Sequence, residues 1–107
     1  MPLPKRSGIR IAGLGGQGVV LAGHILGKAA VYDGLRVVQT QSYGAEARGS
    51  LAKSEVIVSD GKIGFPMVRK SDVLVALSQT ALDRHLKEHR DDGIVVIDAS
   101  IVKDVSA

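Results

Sequence analysis

Ile9-Arg10-Ile11-Ala12-Gly13-Leu14-Gly15-Gly16-Gln17-Gly18-Val19-Val20 is the stretch on which the reading of the chain turns. A short β-branched run, a glycine-rich turn and an apolar run give the order strand, tight turn, helix. Gly13, Gly15 and Gly18 have the G-x-G-x-x-G spacing, with Gly16 as an extra glycine. In such a turn the first glycine permits the tight bend, the second lets a ligand approach the backbone, and the third lets the helix pack close to the sheet. Backbone N–H groups at the helix N-terminus then face an anion. Gly13, Gly15, Gly16, Gln17 and Gly18 are therefore the candidate cofactor-binding residues. The motif argues for the fold more strongly than for any ligand.

Composition bounds what this turn can serve. A chain of 107 residues holds one small domain and no second core. Residues 1–7, with two prolines and two charges, read as a flexible N-terminal arm, and 8–107 as a single α/β domain. The chain is 45% hydrophobic but only 3% aromatic, so its core is built from Val, Ile, Leu and Ala, the palette of a buried parallel sheet. The absence of cysteine excludes a disulfide framework, a thiolate-held zinc or iron–sulfur centre and a thiol nucleophile in this chain. No apolar run reaches the roughly 20 residues of a membrane-spanning helix, and the start lacks the apolar core of a signal peptide. A cytoplasmic protein is expected. The net charge of +3 comes with Lys5, Arg6 and Arg10 near the N-terminus and no basic stripe elsewhere, so nucleic acid is not an expected partner.

In chain order, Gly8 to Gly13 reads as a first strand, and Gln17 to about Tyr32 as a helix. Its inward face is predicted to be Gly18, Ala22, Ile25, Leu26 and Ala29, with His24 and Lys28 off it. Asp33-Gly34 ends that helix, and Leu35 to Val38 forms a second strand that completes a right-handed βαβ unit. A dinucleotide-binding unit places an acidic residue about 20 positions past its glycines to hold the ribose hydroxyls. Here Gln39-Thr40-Gln41 stands there, which counts against NAD(P).

Next comes Ser42-Tyr43-Gly44-Ala45-Glu46-Ala47-Arg48-Gly49-Ser50, a polar stretch leaving the strand edge where α/β proteins build sites. Tyr43, Gly44, Glu46, Arg48 and Gly49 are the candidate interface or cleft residues. The plainer alternative is a surface loop with a weak Glu46–Arg48 pair.

Taken together, Gly13 to Gly18, the small-residue helix, Gln41 to Ser50 and the strand Ser54-Glu55-Val56-Ile57-Val58-Ser59 resemble the gamma subunit or domain of 2-oxoacid:ferredoxin oxidoreductases. The pyruvate, 2-oxoglutarate, 2-oxoisovalerate and indolepyruvate enzymes share that pattern. The resemblance runs from about Gly8 to Ser100, and Ser50 stands where the family commonly has a second glycine. The family's domain also continues past the position of Ala107. The resemblance implies a chain inactive alone within an enzyme that oxidatively decarboxylates a 2-oxoacid to an acyl-coenzyme A and passes electrons to ferredoxin. It implies alpha, beta and delta-type partner subunits. Thiamine diphosphate, coenzyme A and iron–sulfur clusters are then held on other subunits, with no cofactor bound by this chain alone. The rival readings are a free-standing nucleotide-binding or regulatory module and a small NAD(P)-dependent dehydrogenase domain.

In the second half, Ala52 to Ser59 alternates, with Ser54, Val56 and Val58 on one face and Lys53, Glu55 and Ile57 on the other. Asp60-Gly61 is a hairpin signal, and Lys62 to Phe65 is expected to return antiparallel. Val73 to Leu77 reads as a buried strand. Thr80 to Asp83 has capping-box spacing and opens a helix to about Arg90, closed by Asp92-Gly93, before a last strand Ile94 to Ile97 with Asp98 just past it. His85-Leu86-Lys87-Glu88-His89 matches the H-x-x-E-H zinc peptidase pattern. Arg84, Lys87 and Arg90 favour instead a charged, solvated helix face with no metal. The predicted architecture is a Rossmann-like three-layer sandwich, its sheet mostly parallel with an inserted antiparallel hairpin.

Overall fold

Strand β1 (Arg6–Leu14) is the middle strand of the sheet. The computed structural model describes residues 6–14, 18–43, 51–64, 67–100 and 102, with the Tyr43 side chain left aside. After β1 come α1 (Val19–Tyr32), β2 (Arg36–Tyr43), β3 (Leu51–Ser59), β4 (Ser71–Ala76), α2 (Gln79–His85), a 3-10 turn Leu86–Glu88, and β5 (His89–Ile97). The strands lie in the order β2-β3-β1-β4-β5.

This sheet is mixed, which corrects the expectation of a mostly parallel one. β3 lies between β1 and β2 and runs antiparallel to both, over nine and eight residue pairs, while the parallel ladders β1–β4 and β4–β5 run over four and five. The antiparallel hairpin is thus β2–β3. A return strand at Lys62–Phe65 has no place to pair, because both edges of β3 are already occupied; Lys62–Gly64 carry no strand, and Phe65 lies outside the described residues. Arg6 and Ser7, read as the end of an arm, begin β1.

The helices cover opposite faces. Val19, Ala22, Leu26 and Ala30 of α1 pack with Ile9, Ile11, Val56 and Val58, whereas Leu82 and Leu86 pack with Leu74, Ala76 and Ile97. Alternate residues of one strand serve opposite layers, as the period of two requires. The faces read in Ala52 to Ser59 are therefore right, Val56 and Val58 lying under α1, but the half-exposed strand that alternation implies is not found, since Ile57 on the other face is 2% exposed.

Helix α1 departs from its predicted face by about one residue. Its buried positions are Val19, Gly23, Gly27 and Ala30, while Ile25 is 60% exposed. Gly23 explains the rotation: a Cβ there would sit 1.9 Å from Ser54 Oγ, so the helix approaches β3 through its glycines and turns its larger side chains outward. The helix ends as expected at Asp33-Gly34. Gly34 adopts φ 83, its N–H donates to Val31 O at 2.9 Å, and Leu35 N donates to Ala30 O at 3.0 Å, which satisfies the last carbonyls in a Schellman motif.

Helix α2 is shorter than predicted and begins earlier. Its cap is Ser78, whose Oγ accepts from Ala81 N at 3.1 Å; Thr80 is already inside the helix. β5 starts at His89, and Asp92-Gly93 belongs to it. Ser71 pairs with His89 but Val73 pairs with Ile94, so β5 carries extra residues against β4. Gly93 sits in that bulge, where a Cβ would meet Asp72 O at 2.6 Å and His89 Nε2 at 2.7 Å.

Candidate functional site

The strand register brings the strand ends that flank the two candidate loops to one edge of the sheet. Gly13 pairs with Ala52, and Ala52 pairs with Tyr43, so Gly13 and Tyr43 flank one residue of β3 across a single row. One row further, Leu14 pairs with Leu51. The C-terminal ends of β1 and β2 and the N-terminal end of β3 therefore lie side by side. Gly13 is buried at the end of β1, and Gly18, at φ 77 and ψ 20, is the N-cap of α1 with its O accepting from Ala22 N at 2.9 Å. The positive φ at Gly18 is a backbone state that suits glycine. Gly15, Gly16, Gln17, Gly44, Glu46, Arg48 and Gly49 lie outside the described residues.

β4 and β5 end at the same edge. Leu77 N donates to Ala12 O at 2.9 Å, and Ile97 pairs with Ala76. Asp98, expected at the ligand edge, closes its own turn: Oδ1 accepts from Ser100 N at 3.0 Å and from Ser100 Oγ at 2.6 Å.

The dinucleotide reading loses further ground here. Gln39 is mid-strand in β2, its amide turned toward Gly23 and Gly27 of α1, and β3 separates β2 from β1. The ribose site of a dinucleotide fold lies at the end of a strand next to β1, and the neighbours of β1 are β3 and β4, not β2.

A second group of functional-type side chains, which sequence reasoning missed, lies on the α2 face. Arg10, read with Lys5 and Arg6 as a basic cluster near the N-terminus, is 1% exposed. Its Nε donates to Glu55 Oε2 at 2.7 Å, its Nη2 to Val68 O at 2.8 Å and its Nη1 to Glu88 O at 3.2 Å. Arg6 Nη2 donates to Met67 O at 2.9 Å, so the described basic residues near the N-terminus are engaged within the fold. The available signal was a lone charge inside the apolar run Ile9 to Ala12, with Glu55 the acid on an alternating strand.

His85 and His89 also depart from the expected solvated face. Both are buried, at 6% and 8% exposure, while Arg84, Lys87 and Arg90 are exposed as expected. His85 closes α2 and His89 opens β5, so the two are not one turn apart on a helix. His89 Nδ1 shares a 2.8 Å hydrogen bond with Ser71 Oγ. Burial lowers the His85 pKa below 6.5, and the positive charges of Arg10 and Lys53 lower it further. Among the described residues, no three His, Cys, Asp or Glu side chains converge as metal ligands. The donor set of this chain does not fit an iron–sulfur cluster, which takes cysteine thiolates. Among the described residues, no helix is long and apolar enough to cross a membrane.

The α/β fold is shared by known proteins. The model for the pyruvate ferredoxin/flavodoxin oxidoreductase family matches residues 8–106. The 2-oxoglutarate synthase subunit KorC of Methanocaldococcus jannaschii is 53% identical over 98 residues, covering 91% of this chain and 52% of that protein. A keto/oxoacid ferredoxin oxidoreductase gamma subunit from Geobacter sulfurreducens superposes with a TM-score of 0.83 at 41% identity, over 96% of this chain and 56% of that one. The 2-oxoglutarate:ferredoxin oxidoreductase of Magnetococcus marinus, solved with 2-oxoglutarate, coenzyme A and succinyl-CoA, gives 0.85 at 25% identity, over 98% of this chain and 18% of that one. The chain belongs to the pyruvate ferredoxin/flavodoxin oxidoreductase family. It spans about half the length of the KorC relatives it matches.

Proposed function

We propose that this chain is the gamma-type part of a 2-oxoacid:ferredoxin oxidoreductase, a cytoplasmic complex that converts a 2-oxoacid to an acyl-coenzyme A and passes electrons to ferredoxin. The observation that carries this reading is the 53% identity to a 2-oxoglutarate synthase subunit along nearly the whole chain. The same match favours 2-oxoglutarate over pyruvate, since a pyruvate synthase subunit from the same archaeon is only 35% identical.

In this reading the chain is a scaffold. β1, β2 and β3 end together at one sheet edge, and the Gly13 to Gly18 turn and the Tyr43 to Gly49 loop that follow are assigned to a cleft shared with alpha, beta and delta-type subunits. Arg48 offers a bidentate cation to a carboxylate or phosphate, and Tyr43 and Glu46 stand beside it in sequence. Thiamine diphosphate, coenzyme A and the clusters are assigned to the partner chains. The lack of cysteine supports that division for the clusters.

The test is co-purification of the tagged full-length protein, identification of its partners by mass spectrometry, and assay of coenzyme A-dependent ferredoxin reduction with several 2-oxoacids. Activity of the complex with 2-oxoglutarate and none of the isolated chain is the expected result. Turnover by the isolated chain, or the lack of any oxidoreductase subunit among its partners, overturns the reading.

A further inference from the structure

Asp-Gly occurs at Asp33-Gly34, Asp60-Gly61 and Asp92-Gly93, and all three aspartates are exposed. With no Cβ on the second residue, the glycine nitrogen can reach the aspartate side-chain carbonyl carbon and close a five-membered ring. Closure requires ψ of the aspartate to swing that nitrogen round against Cβ. The freedom of each peptide therefore decides where the reaction runs.

Two of the three are held. Asp33 sits at ψ 4, a helical value far from the closing one, with Asp33 N donating to Ala29 O and Ala30 O at 3.2 and 3.1 Å and Gly34 N to Val31 O at 2.9 Å. Gly93 lies in the β5 bulge, where Asp72 O and the His89 ring crowd the position of a Cβ, and the Asp92 carboxylate meets Arg90 Nε at 3.2 Å. Asp60-Gly61 has neither restraint. It follows the end of β3 without the return strand its sequence suggests, and Lys62 to Gly64 carry no helix or strand. A Cβ at Gly61 would meet nothing within 4 Å, and among the described residues the Asp60 carboxylate has no hydrogen bond or ion pair. Gly61 N donates to Ser59 Oγ at 3.1 Å, a hydroxyl turn that holds less firmly than a backbone one.

We propose that Asp60 is a site of isoaspartate formation, a modification from which the fold shields Asp33 and Asp92. Gly61 N gives up its proton and bonds to Asp60 Cγ, while the Cγ–OH bond of the carboxylic acid breaks and water leaves. Water then adds to the main-chain carbonyl carbon of Asp60 and breaks its bond to Gly61 N. The backbone now runs through the side-chain carboxyl, one methylene longer, and the former main-chain carbonyl is a free carboxylate. Composition and oxidation state are unchanged. Ser59 pairs with both Arg6 and Arg36, so the added methylene falls at the end of the sheet opposite the row of Gly13, Ala52 and Tyr43.

The test is ageing of the purified full-length protein in neutral buffer, with isoaspartate located by peptide mapping under electron-transfer fragmentation and counted by enzymatic methylation of its α-carboxylate. Isoaspartate is expected first at position 60, with positions 33 and 92 lagging. Gly61→Ala, which meets open space, is expected to lose most of the signal at an unchanged melting temperature. Ser59→Ala frees Gly61 N and is expected to speed the reaction by up to about fivefold, the worth of one net hydrogen bond. A synthetic peptide spanning 57–64 gives the rate of the unrestrained sequence. Isoaspartate at 33 or 92 as early as at 60, or none at 60 over the time in which the peptide converts, overturns the proposal. So does a Gly61→Ala chain that ages like the wild type.

Discussion

Arg10 and Glu55 are directly paired residues of β1 and β3, and their side chains meet at 2.7 Å with Arg10 98% buried at its side chain. The two carbonyls that also accept from Arg10 come from Val68 and Glu88, so one guanidinium ties four segments together. Removing one partner of a buried pair leaves an uncompensated charge in low dielectric. Glu55→Ala is therefore expected to cost about 3 kcal/mol or more of unfolding free energy. Glu55→Gln, which keeps an acceptor, costs less. Denaturant titration checks this, and a loss below about 1 kcal/mol for the alanine variant would show the pair to be an exposed-type bridge.

His85 gives the chain a pH dependence whose sign follows from its surroundings. Desolvation lowers its pKa first, then Arg10 and Lys53; Glu88 opposes them and Arg84 adds to them. Nδ1 has no hydrogen-bond partner that would favour the protonated ring. Below pH 6.5 the unfolded chain takes up a proton that the folded one resists, so the unfolded state binds more protons and stability falls as pH falls. The contribution is complete above 6.5 and is lost as pH drops toward the lowered folded value. Unfolding free energies measured between about pH 7.5 and about pH 5 should decline, and His85→Leu should flatten the decline. Equal slopes for the two chains would reject the assignment.

Gly23 and Gly27 are four residues apart on the buried side of α1, yet they differ in the room around them. A methyl at Gly23 would lie 1.9 Å from Ser54 Oγ and 2.9 Å from Ser54 Cβ, whereas at Gly27 the nearest atoms are Gln39 Oε1 at 3.4 Å and Val37 Cγ1 at 3.5 Å. Gly23→Ala is expected to destabilise by roughly 1 to 3 kcal/mol through overpacking, and Ser54→Gly in the same chain should restore part of that loss. Gly27→Ala meets ordinary contacts and gains helix propensity, so it should be neutral or stabilising by up to about 1 kcal/mol. Urea midpoints of the three variants decide the matter, and equal effects at the two glycines would contradict the packing.

The contrast between those glycines also shows which features the sequence could carry. Features set by neighbours in the chain were legible: the strand–turn–helix at Gly13 to Gly18, the stop at Asp33-Gly34, the alternation through Ser54, Val56 and Val58. Features set by distant partners were not. Nothing local to Leu51–Ser59 says that it inserts between β1 and β2, and that insertion alone removes the return strand at Lys62 and the parallel β1–β2 pair. The face of α1 was misjudged because Ile25 looked like core, while the closest approach belongs to Gly23 through Ser54. The burial of Arg10 was not legible because a buried arginine is recognisable only once Glu55 is known to lie beside it. The two loops were legible as motifs, and that the strand ends flanking them share one edge required the register through Ala52.

That register carries the last prediction. Tyr43 and Gly13 flank Ala52, so the loop that follows Tyr43 starts beside the turn that follows β1. Arg48 lies within that loop, between Gly44 and Gly49 in sequence, and arginine and tyrosine are the side chains most often found at the energetic centre of interfaces. If Arg48 opposes an anion of a partner or cofactor in the assembled enzyme, Arg48→Ala leaves that anion unpaired and costs roughly 2 to 5 kcal/mol in assembly or transition-state binding. Arg48→Lys, which keeps the charge but loses the planar fork, should fall between the two. If Arg48 only decorates the surface, neither variant moves assembly by more than about 0.5 kcal/mol. The measurement is subunit association and specific activity of the co-expressed complex, with the melting temperature of the free chain as the control for folding. Wild-type assembly together with wild-type activity in Arg48→Ala would return the loop to ordinary surface.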